Sequence, residues 1–218
     1  MLWVIEISKI FEKKTENTNK TEKIYKNVRI ILRLHAKQDK IYCIQENNRG
    51  YIMEKIYETA YAKINLGLDV LGKRSDGYHE VRMVMQSVGL SDAVEIEEGE
   101  GLVVETDHSG LAGGPDNLAW KAAELLARCC GKIPNVHIRL NKKIFLAAGL
   151  AGGSSDAAAV MRGLSRLWQL DLTAPELEKL AAELGSDIPF CITGGTALAE
   201  GRGEILTELP EAPELLLV

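Results

Sequence analysis

The glycine-rich stretch at residues 146–158 constrains the fold of this chain more than any other sequence feature. Its sequence, LAAGLAGGSSDAA, contains neither a G-x-x-x-x-G-K-S/T nor a G-x-G-x-x-G pattern. The glycines let the backbone bend and approach a ligand closely, and they are Gly149, Gly152 and Gly153. Ser154 and Ser155 follow at the predicted start of a helix, where unpartnered N–H groups and the helix dipole attract phosphates. The stretch predicts a phosphate-binding turn; the alternative is a flexible turn with a serine N-cap.

A strand with one polar face is predicted before this stretch, at Tyr61–Val70. Apolar and polar residues alternate there, as in a half-buried strand. The polar face carries Lys63 and Asn65. The side chains predicted to face the core are Ala62, Ile64, Leu66, Leu68 and Val70.

The order of the other predicted elements indicates an α+β fold. Strands come first and helices later, without regular βαβ alternation. The further strands are predicted at Val81–Val88, Ala93–Glu97, Leu102–Thr106 and Val136–Leu140. One helix is predicted at 118–128, capped by Asp116 or Asn117, and another at 175–184. A third helix is predicted directly after the glycine-rich stretch, and its buried positions are Ala157, Val160, Met161, Leu164, Leu167 and Trp168.

Composition divides the chain near Met53. Residues 1–52 carry 11 Lys/Arg and 6 Asp/Glu, whereas residues 53–218 carry 15 and 25 and hold nineteen of the twenty glycines. One interpretation of residues 1–52 is a basic arm for nucleic acid or a membrane surface, although acidic residues interrupt its basic ones. We favour the other interpretation, an N-terminal extension that is not native. The codons for residues 49–50 allow a purine-rich stretch resembling a ribosome-binding site just before Met53.

The far end of the chain predicts an interrupted structure. Residues 203–209 have the pattern of a strand, and the chain then stops within another apolar run at 214–218. We therefore expect residues 201–218 to be the start of a truncated C-terminal domain. Residues 53–200 would form one domain before it.

Several function classes are disfavoured by composition. No apolar run approaches the ~20 residues that cross a bilayer, and the first residues do not form a signal peptide. These features predict a cytoplasmic protein. The four cysteines and four histidines lack metal-ligand spacing, so the cysteines are predicted to be reduced and structural. The net acidic character of residues 53–218 disfavours nucleic-acid binding.

Three stretches together resemble the GHMP kinases, the superfamily of galactokinase, homoserine kinase and mevalonate kinase. The glycine-rich stretch is one of them. The others are AKINL at 62–66 with RSDGYH at 74–79, and GSDIPF at 185–190 with GGT at 194–196 and EGRG at 200–203. The first of these is similar to the branch of 4-diphosphocytidyl-2-C-methyl-D-erythritol kinases in particular. The resemblance covers residues 53–218 and implies the GHMP-kinase N-terminal domain, a mixed sheet with packed helices, followed by a C-terminal domain that is largely missing.

The resemblance also implies residue roles. Asp187 would be the general base for the substrate hydroxyl, and Lys63 would polarise that hydroxyl. Tyr78 and His79 would contact the cytosine of the substrate, with Asn65 beside the methylerythritol group. Asn117 would lie near the adenine of ATP. The residues that would wrap the ATP phosphates are Phe145, Leu146, Ala147, Ala148, Gly149, Leu150, Ala151, Gly152, Gly153, Ser154 and Ser155.

The implied function is phosphorylation of a hydroxyl of 4-diphosphocytidyl-2-C-methyl-D-erythritol, with ATP and Mg²⁺, in isoprenoid precursor synthesis. One alternative is another GHMP kinase, of the homoserine or mevalonate type. A second alternative is a truncated fragment that binds ATP without turnover. Phe145 stands where the family usually has a proline, just before the loop. A proline at this position would fix φ at the exit of the strand.

Overall fold

The computed structural model describes residues 43–46, 52–210 and 212, and the chain divides into two units, Met1–Ile56 and Tyr57–Val218. In the first unit, strand β1 (Cys43–Glu46) pairs antiparallel with the start of strand β2 (Ile52–Lys73), from Cys43 opposite Lys55 to Glu46 opposite Ile52. The remainder of residues 1–52 lies outside the described residues. The predicted boundary near Met53 and the nature of the extension therefore stay predictions.

The second unit contains a mixed sheet. Its strands after β2 are β3 (His79–Glu98), β4 (Leu102–Thr106), β5 (Val136–Asn141), β6 (Thr196–Gly201) and β7 (Ile205–Glu208). They run in the order β2-β3-β5-β4, and β6 pairs with both β3 and β7. The β4–β5 pair is parallel, whereas β5 and β6 both pair antiparallel with β3.

Four described helices accompany this sheet, which confirms the predicted α+β class. They are α1 (Leu118–Cys129), α2 (Gly152–Leu167), α3 (Ala174–Ala181) and α4 (Ile188–Thr193). Helix α2 packs against α1, α4 and β3, and so occupies the centre of the unit. Its predicted apolar face is buried at Ala157, Val160, Met161, Leu164 and Leu167. Burial of that face fixes the start of α2, where the glycine-rich stretch ends.

Strand β3 is one continuous strand where the sequence predicted two. Its first half, Val81–Gln86, pairs with β6, and its second half, Ala93–Glu98, pairs with β5. The strand changes partner on the way, so the polar residues around Ser91 mark the change of partner and not a turn. The prediction of separate strands was wrong for this reason.

The predicted buried face of Tyr61–Val70 was wrong beyond Ile64. Ala62 is buried, but Leu66, Leu68 and Val70 are exposed, and so are the alternate residues Asn65, Gly67 and Asp69. This outer part of β2 forms a hairpin with β3 through a turn at residues 74–78, and both faces of the hairpin are exposed. Alternation of apolar residues therefore did not indicate burial in this arm.

Candidate active site

The loop at residues 145–151 connects the end of β5 to α2 and has an unusual backbone. Alternate residues have positive φ: Ala147 at 55°, Gly149 at 75° and Ala151 at 56°. This conformation disfavours residues with a Cβ, and such strain is concentrated at functional sites. The predicted phosphate contacts Phe145, Leu146, Ala147 and Ala148 lie in the exposed part of this loop, and Leu150 and Gly152 are half-buried.

Helix α2 begins at Gly152, and its N-cap is Ala151, whose side chain makes no capping bond. The alternative of a serine N-cap is therefore wrong, and the helix begins two residues before the predicted start: Ser154 and Ser155 lie within the first turn. The first hydrogen bond of the helix runs from the Ser155 N–H to the Ala151 carbonyl, at 2.8 Å. The amides of residues 152–154 precede this bond and remain available at the positive end of the helix dipole, as an anion site requires.

Two hydrogen bonds join this loop to β2. The Ser155 hydroxyl donates to the Tyr61 carbonyl at 2.6 Å, and the Lys63 N–H donates to the Leu150 carbonyl at 3.1 Å. These bonds place Lys63 directly beside the turn that leads into α2.

The ammonium group of Lys63 is paired with Asp187. The Lys63 Nζ lies 3.3 Å from Asp187 Oδ2 and donates to Asn65 Oδ1 at 3.2 Å. The side chain of Lys63 is 5% exposed and that of Asp187 is 35% exposed. A buried ammonium needs such a partner, while the exposed side of the carboxylate can meet a ligand. The structure thus brings together three predicted site residues from two parts of the chain.

The position of Asp187 is set by α4, which it precedes. Its side chain makes no capping hydrogen bond to α4, so the carboxylate is free for contacts outside the helix. Within α4, Phe190 packs into a core cluster with Met83 and Met85 of β3. The Arg162 guanidinium also donates to the Cys191 carbonyl at 2.6 Å and to the Thr59 carbonyl of β2 at 2.9 Å. These contacts hold α4 in place, and with it the position of Asp187 at its start.

Asn117 caps α1, as one of the two predicted candidates. Its Oδ1 accepts from the Ala119 N–H at 2.8 Å, and its Nδ2 donates to the Ala112 carbonyl at 2.9 Å. A Cβ on Gly153 would lie 3.5 Å from Leu118 Cδ1, so the starts of α1 and α2 are neighbours. The predicted role of Asn117 near the adenine stays a prediction, and its side-chain polar groups are already engaged.

Tyr78 and His79 lie at the exposed tip of the hairpin between β2 and β3. The guanidinium of Arg202 lies 4.8 Å from the centre of the Tyr78 ring. This distance is that of a cation–π contact. Arg202 belongs to the EGRG motif, but no role was predicted for it from the sequence. A Cβ on the next residue, Gly203, would lie 3.8 Å from Ser186 Cβ. Arg202 therefore connects the hairpin tip with the region around Asp187.

Sequence analysis also missed three buried charged residues beneath the loop. Lys142 Nζ donates to Asp92 Oδ2 and to Asp156 Oδ2, both at 2.5 Å. Burial, more than any other cause, raises the pKa of Asp156 to about 7, and the nearby Lys142 opposes that rise. The one available signal for this group in the sequence was Asp156, a charged residue directly before the alanines of the buried face of α2.

Three further properties of the described residues concern metal sites, membrane spans and cysteine thiols. They contain no cluster of three or more His, Cys, Asp or Glu side chains that could hold a metal ion. No helix in the described part of the chain is long and apolar enough to cross a membrane. Cys129, Cys130 and Cys191 are free thiols, and burial raises the pKa of Cys191 to about 11.

The mixed sheet, the glycine loop and the helix that follows it agree with a GHMP-kinase N-terminal domain, and the comparisons with known proteins identify this domain in the chain. Residues 117–195 match the family model described as GHMP kinases N terminal domain. That match spans α1, the loop, α2 and Asp187, whereas Lys63 and Asn65 of the candidate site lie before it in the chain.

Within this class, the chain is a homologue of the 4-diphosphocytidyl-2-C-methyl-D-erythritol kinases, as the resemblance implied. It is 50% identical over 165 residues to the enzyme of that name from Caldanaerobacter subterraneus subsp. tengcongensis, covering 75% of this chain and 58% of the relative. It is 54% identical over 153 residues to that from Synechococcus sp., covering 70% and 50%. A crystal structure of 4-(cytidine 5'-diphospho)-2C-methyl-D-erythritol kinase matches with a TM-score of 0.62 at 39% identity, covering 71% of this chain and 55% of that one.

The chain spans about half the length of the curated relatives it matches. Their activity concerns the whole protein and is taken up below as a proposal.

Proposed function

We propose that this chain takes part in the transfer of the γ-phosphoryl group of ATP to a hydroxyl of 4-diphosphocytidyl-2-C-methyl-D-erythritol. The observation that carries the proposal is the position of the Lys63–Asp187 pair beside the turn into α2, to which Lys63 is bonded through Leu150. A phosphate site and a base within one site are the two parts that phosphoryl transfer needs.

The nucleotide phosphates would bind to the amides of residues 152–154 and to the loop before them. Backbone amides at a helix start attract negative charge without a buried cation. The described residues offer no cluster of carboxylates for a metal, so Mg²⁺ would arrive on the phosphate oxygens, which are ligands that it prefers. When bound there, Mg²⁺ would neutralise charge on the phosphates.

The acceptor hydroxyl would lie between Asp187 and the γ-phosphate. Asp187 would accept the hydroxyl proton as the oxygen attacks phosphorus, the bond from phosphorus to the bridging oxygen would break, and ADP would leave. Lys63, held by Asp187 and Asn65, would stabilise the charge that develops on the transferred group. Positioning of the two substrates would contribute most of the remaining rate.

The acceptor is proposed from the sequence relatives, whose name specifies it. The exposed Tyr78 ring supports a base-binding role, because an aromatic face stacks on any nucleobase. His79 lies beside it in the chain, and Asn65 lies beside Lys63, where the methylerythritol part would be placed. A reaction on this soluble phosphorylated substrate would take place in the cytoplasm.

An assay with three alcohols tests the proposal. The chain is incubated with ATP, Mg²⁺ and either the cytidylyl substrate, homoserine or mevalonate, and both ADP and the phosphorylated product are measured by mass spectrometry. We expect product from the cytidylyl substrate alone. Turnover of homoserine or mevalonate in its place would assign another GHMP activity. ATP binding without any product would leave a nucleotide-binding fragment and contradict the proposed activity.

A further inference from the structure

Asp92, Lys142 and Asp156 form a closed ionic group outside the proposed reacting pair, here named the loop clamp. Lys142 Nζ lies 2.5 Å from a carboxylate oxygen of each aspartate. The side-chain exposures of Asp92, Lys142 and Asp156 are 0%, 1% and 2%. None of the three can therefore meet a ligand directly in this structure.

The loop clamp holds both ends of the glycine loop. Asp92 Oδ1 accepts from the N–H groups of Lys143 and Ile144, at 2.5 and 2.8 Å, just before the loop begins. Asp156 lies in the second turn of α2, just after the loop ends. Lys142 joins the two carboxylates. Strand β3, the exit of β5 and the start of α2 are thus bonded at one point.

Gly152 shows how close the clamp lies to the phosphate-binding amides. A Cβ at this position would be 3.6 Å from Lys142 Nζ and 3.0 Å from Ile144 Cγ2. Gly152, the first residue of α2, therefore lies against Lys142 and Ile144.

We infer that Asp92, Lys142 and Asp156 are positioning residues, which hold the glycine loop in the conformation that binds the phosphates of ATP. The inference rests on the proposed function. Its physical basis is the positive φ of Ala147 and Ala151, because such conformations persist only when the surroundings impose them. The clamp imposes them by fixing the distance between residues 144 and 152.

A purely stabilising role is a weaker explanation of this group. Burying three charges costs desolvation free energy, and apolar residues of similar size often give equal or greater stability. Asp156 Oδ1 is also buried without a hydrogen-bond partner among the described residues. Loop position and global stability can therefore be separated by experiment.

The test neutralises all three charges, in the triple variant Asp92→Asn with Lys142→Met and Asp156→Leu. Asp92→Asn keeps a side-chain oxygen that can accept from the Lys143 and Ile144 N–H groups, and no buried charge is left without a partner.

The control is Arg139→Met with Glu95→Leu, a solvent-accessible ion pair at 2.9 Å that joins β5 to β3 away from the glycine loop. For each protein, three quantities are measured: the melting temperature, the dissociation constant of ATP, and the hydrogen-exchange rates of the amides at residues 145–154 without nucleotide.

We expect the clamp variant to bind ATP at least tenfold more weakly and to exchange its loop amides at least tenfold faster, with a melting temperature close to that of the control. Equal ATP affinity and equal exchange in the two variants would overturn the inference. If the wild-type chain itself fails to bind ATP, the proposed function fails, and the loop exchange rates still test the clamp.

A second variant covers the case in which the triple variant does not fold. Asp156→Asn has the same shape but removes the charge that faces Lys142. We expect faster amide exchange at residues 152–154 than in the wild-type chain. Unchanged exchange at those residues would overturn the inference without reference to nucleotide binding.

Discussion

Two lysine–aspartate contacts lie on either side of the glycine loop, and they differ mainly in their access to solvent. Lys63 and Asp187 are 3.3 Å apart, and the carboxylate keeps 35% of its surface exposed. Lys142 and Asp156 are 2.5 Å apart, and neither side chain is more than 2% exposed. The first contact is open to a ligand, whereas the second is sealed from solvent.

We propose that the same pair of residue types serves two purposes according to its surroundings. An open carboxylate beside a buried cation is suited to take part in a reaction. A sealed pair with a second carboxylate joins backbone segments and has no ligand to act on. Substitutions on the two sides should therefore affect different measured quantities.

The largest effect is expected at the open pair. Asp187→Ala removes the proposed base, so kcat should fall by about 10²- to 10⁴-fold. ATP affinity should change little, because the phosphate site consists of backbone amides. Steady-state kinetics and nucleotide titration measure the two quantities separately, with the exposed Asp171→Ala as a control. An unchanged kcat would refute the assignment of Asp187.

The next effect is expected where the loop and the sealed pair meet. Gly152→Val places a Cβ 3.0 Å from Ile144 Cγ2, so the side chain or the loop must move. ATP should bind about 10- to 100-fold more weakly, as measured by calorimetry. Gly114→Ala is the control, because a Cβ there meets nothing within 4 Å. Equal ATP affinities in the two variants would count against the phosphate cradle.

A smaller, pH-dependent effect is expected from Asp156. Burial raises its pKa from the ordinary 3.8 to about 7, with Lys142 and Asp92 facing it. The folded state thus holds this proton more tightly than the unfolded state does, and the contribution of the carboxyl to the free energy of unfolding decreases as pH rises from about 4 to about 7. Asp156→Asn should remove this part of the pH dependence in denaturant titrations. The exposed Asp171→Asn should keep it. Identical pH profiles in the wild-type chain and Asp156→Asn would show that Asp156 does not cause this pH dependence.

The smallest effect is expected in the exposed hairpin. Val70 is 61% exposed and Val94 is 1% exposed, on neighbouring strands. Val70→Ser should change the free energy of unfolding by less than about 0.5 kcal/mol, whereas Val94→Ser should cost on the order of 2–4 kcal/mol. Urea unfolding measures both values. A large loss at Val70 would mean that the hairpin face is buried after all.

Local sequence patterns predicted the backbone parts of this molecule well. The glycines and the helix that follows them marked the loop, and Asn117 marked the start of α1, because caps and turns depend on a few adjacent residues. The buried face of α2 followed from its helical periodicity.

Contacts between distant parts of the chain were harder to predict. The contacts of Lys142 with Asp92 and of Arg202 with Tyr78 join residues that are 50 or more positions apart in the sequence. The fold brings these residues together, and no local sequence pattern marks them. The pairing of Lys63 with Asp187 was implied by resemblance and not by spacing. The burial of β2 beyond Ile64 was mispredicted because alternating apolar residues indicate a strand but not which other elements cover it.

The change of partner along β3 limits how this chain can vary in length. Residues 81–86 are in register with β6 and residues 93–98 with β5, and only six residues separate the two ladders. Because side chains alternate with a period of two, one inserted or deleted residue there would turn one half of the strand over relative to the other. Asp92 would then leave Lys142 while Met83 and Met85 kept their places. Homologues of this domain should therefore tolerate substitutions more readily than insertions or deletions between residues 87 and 91.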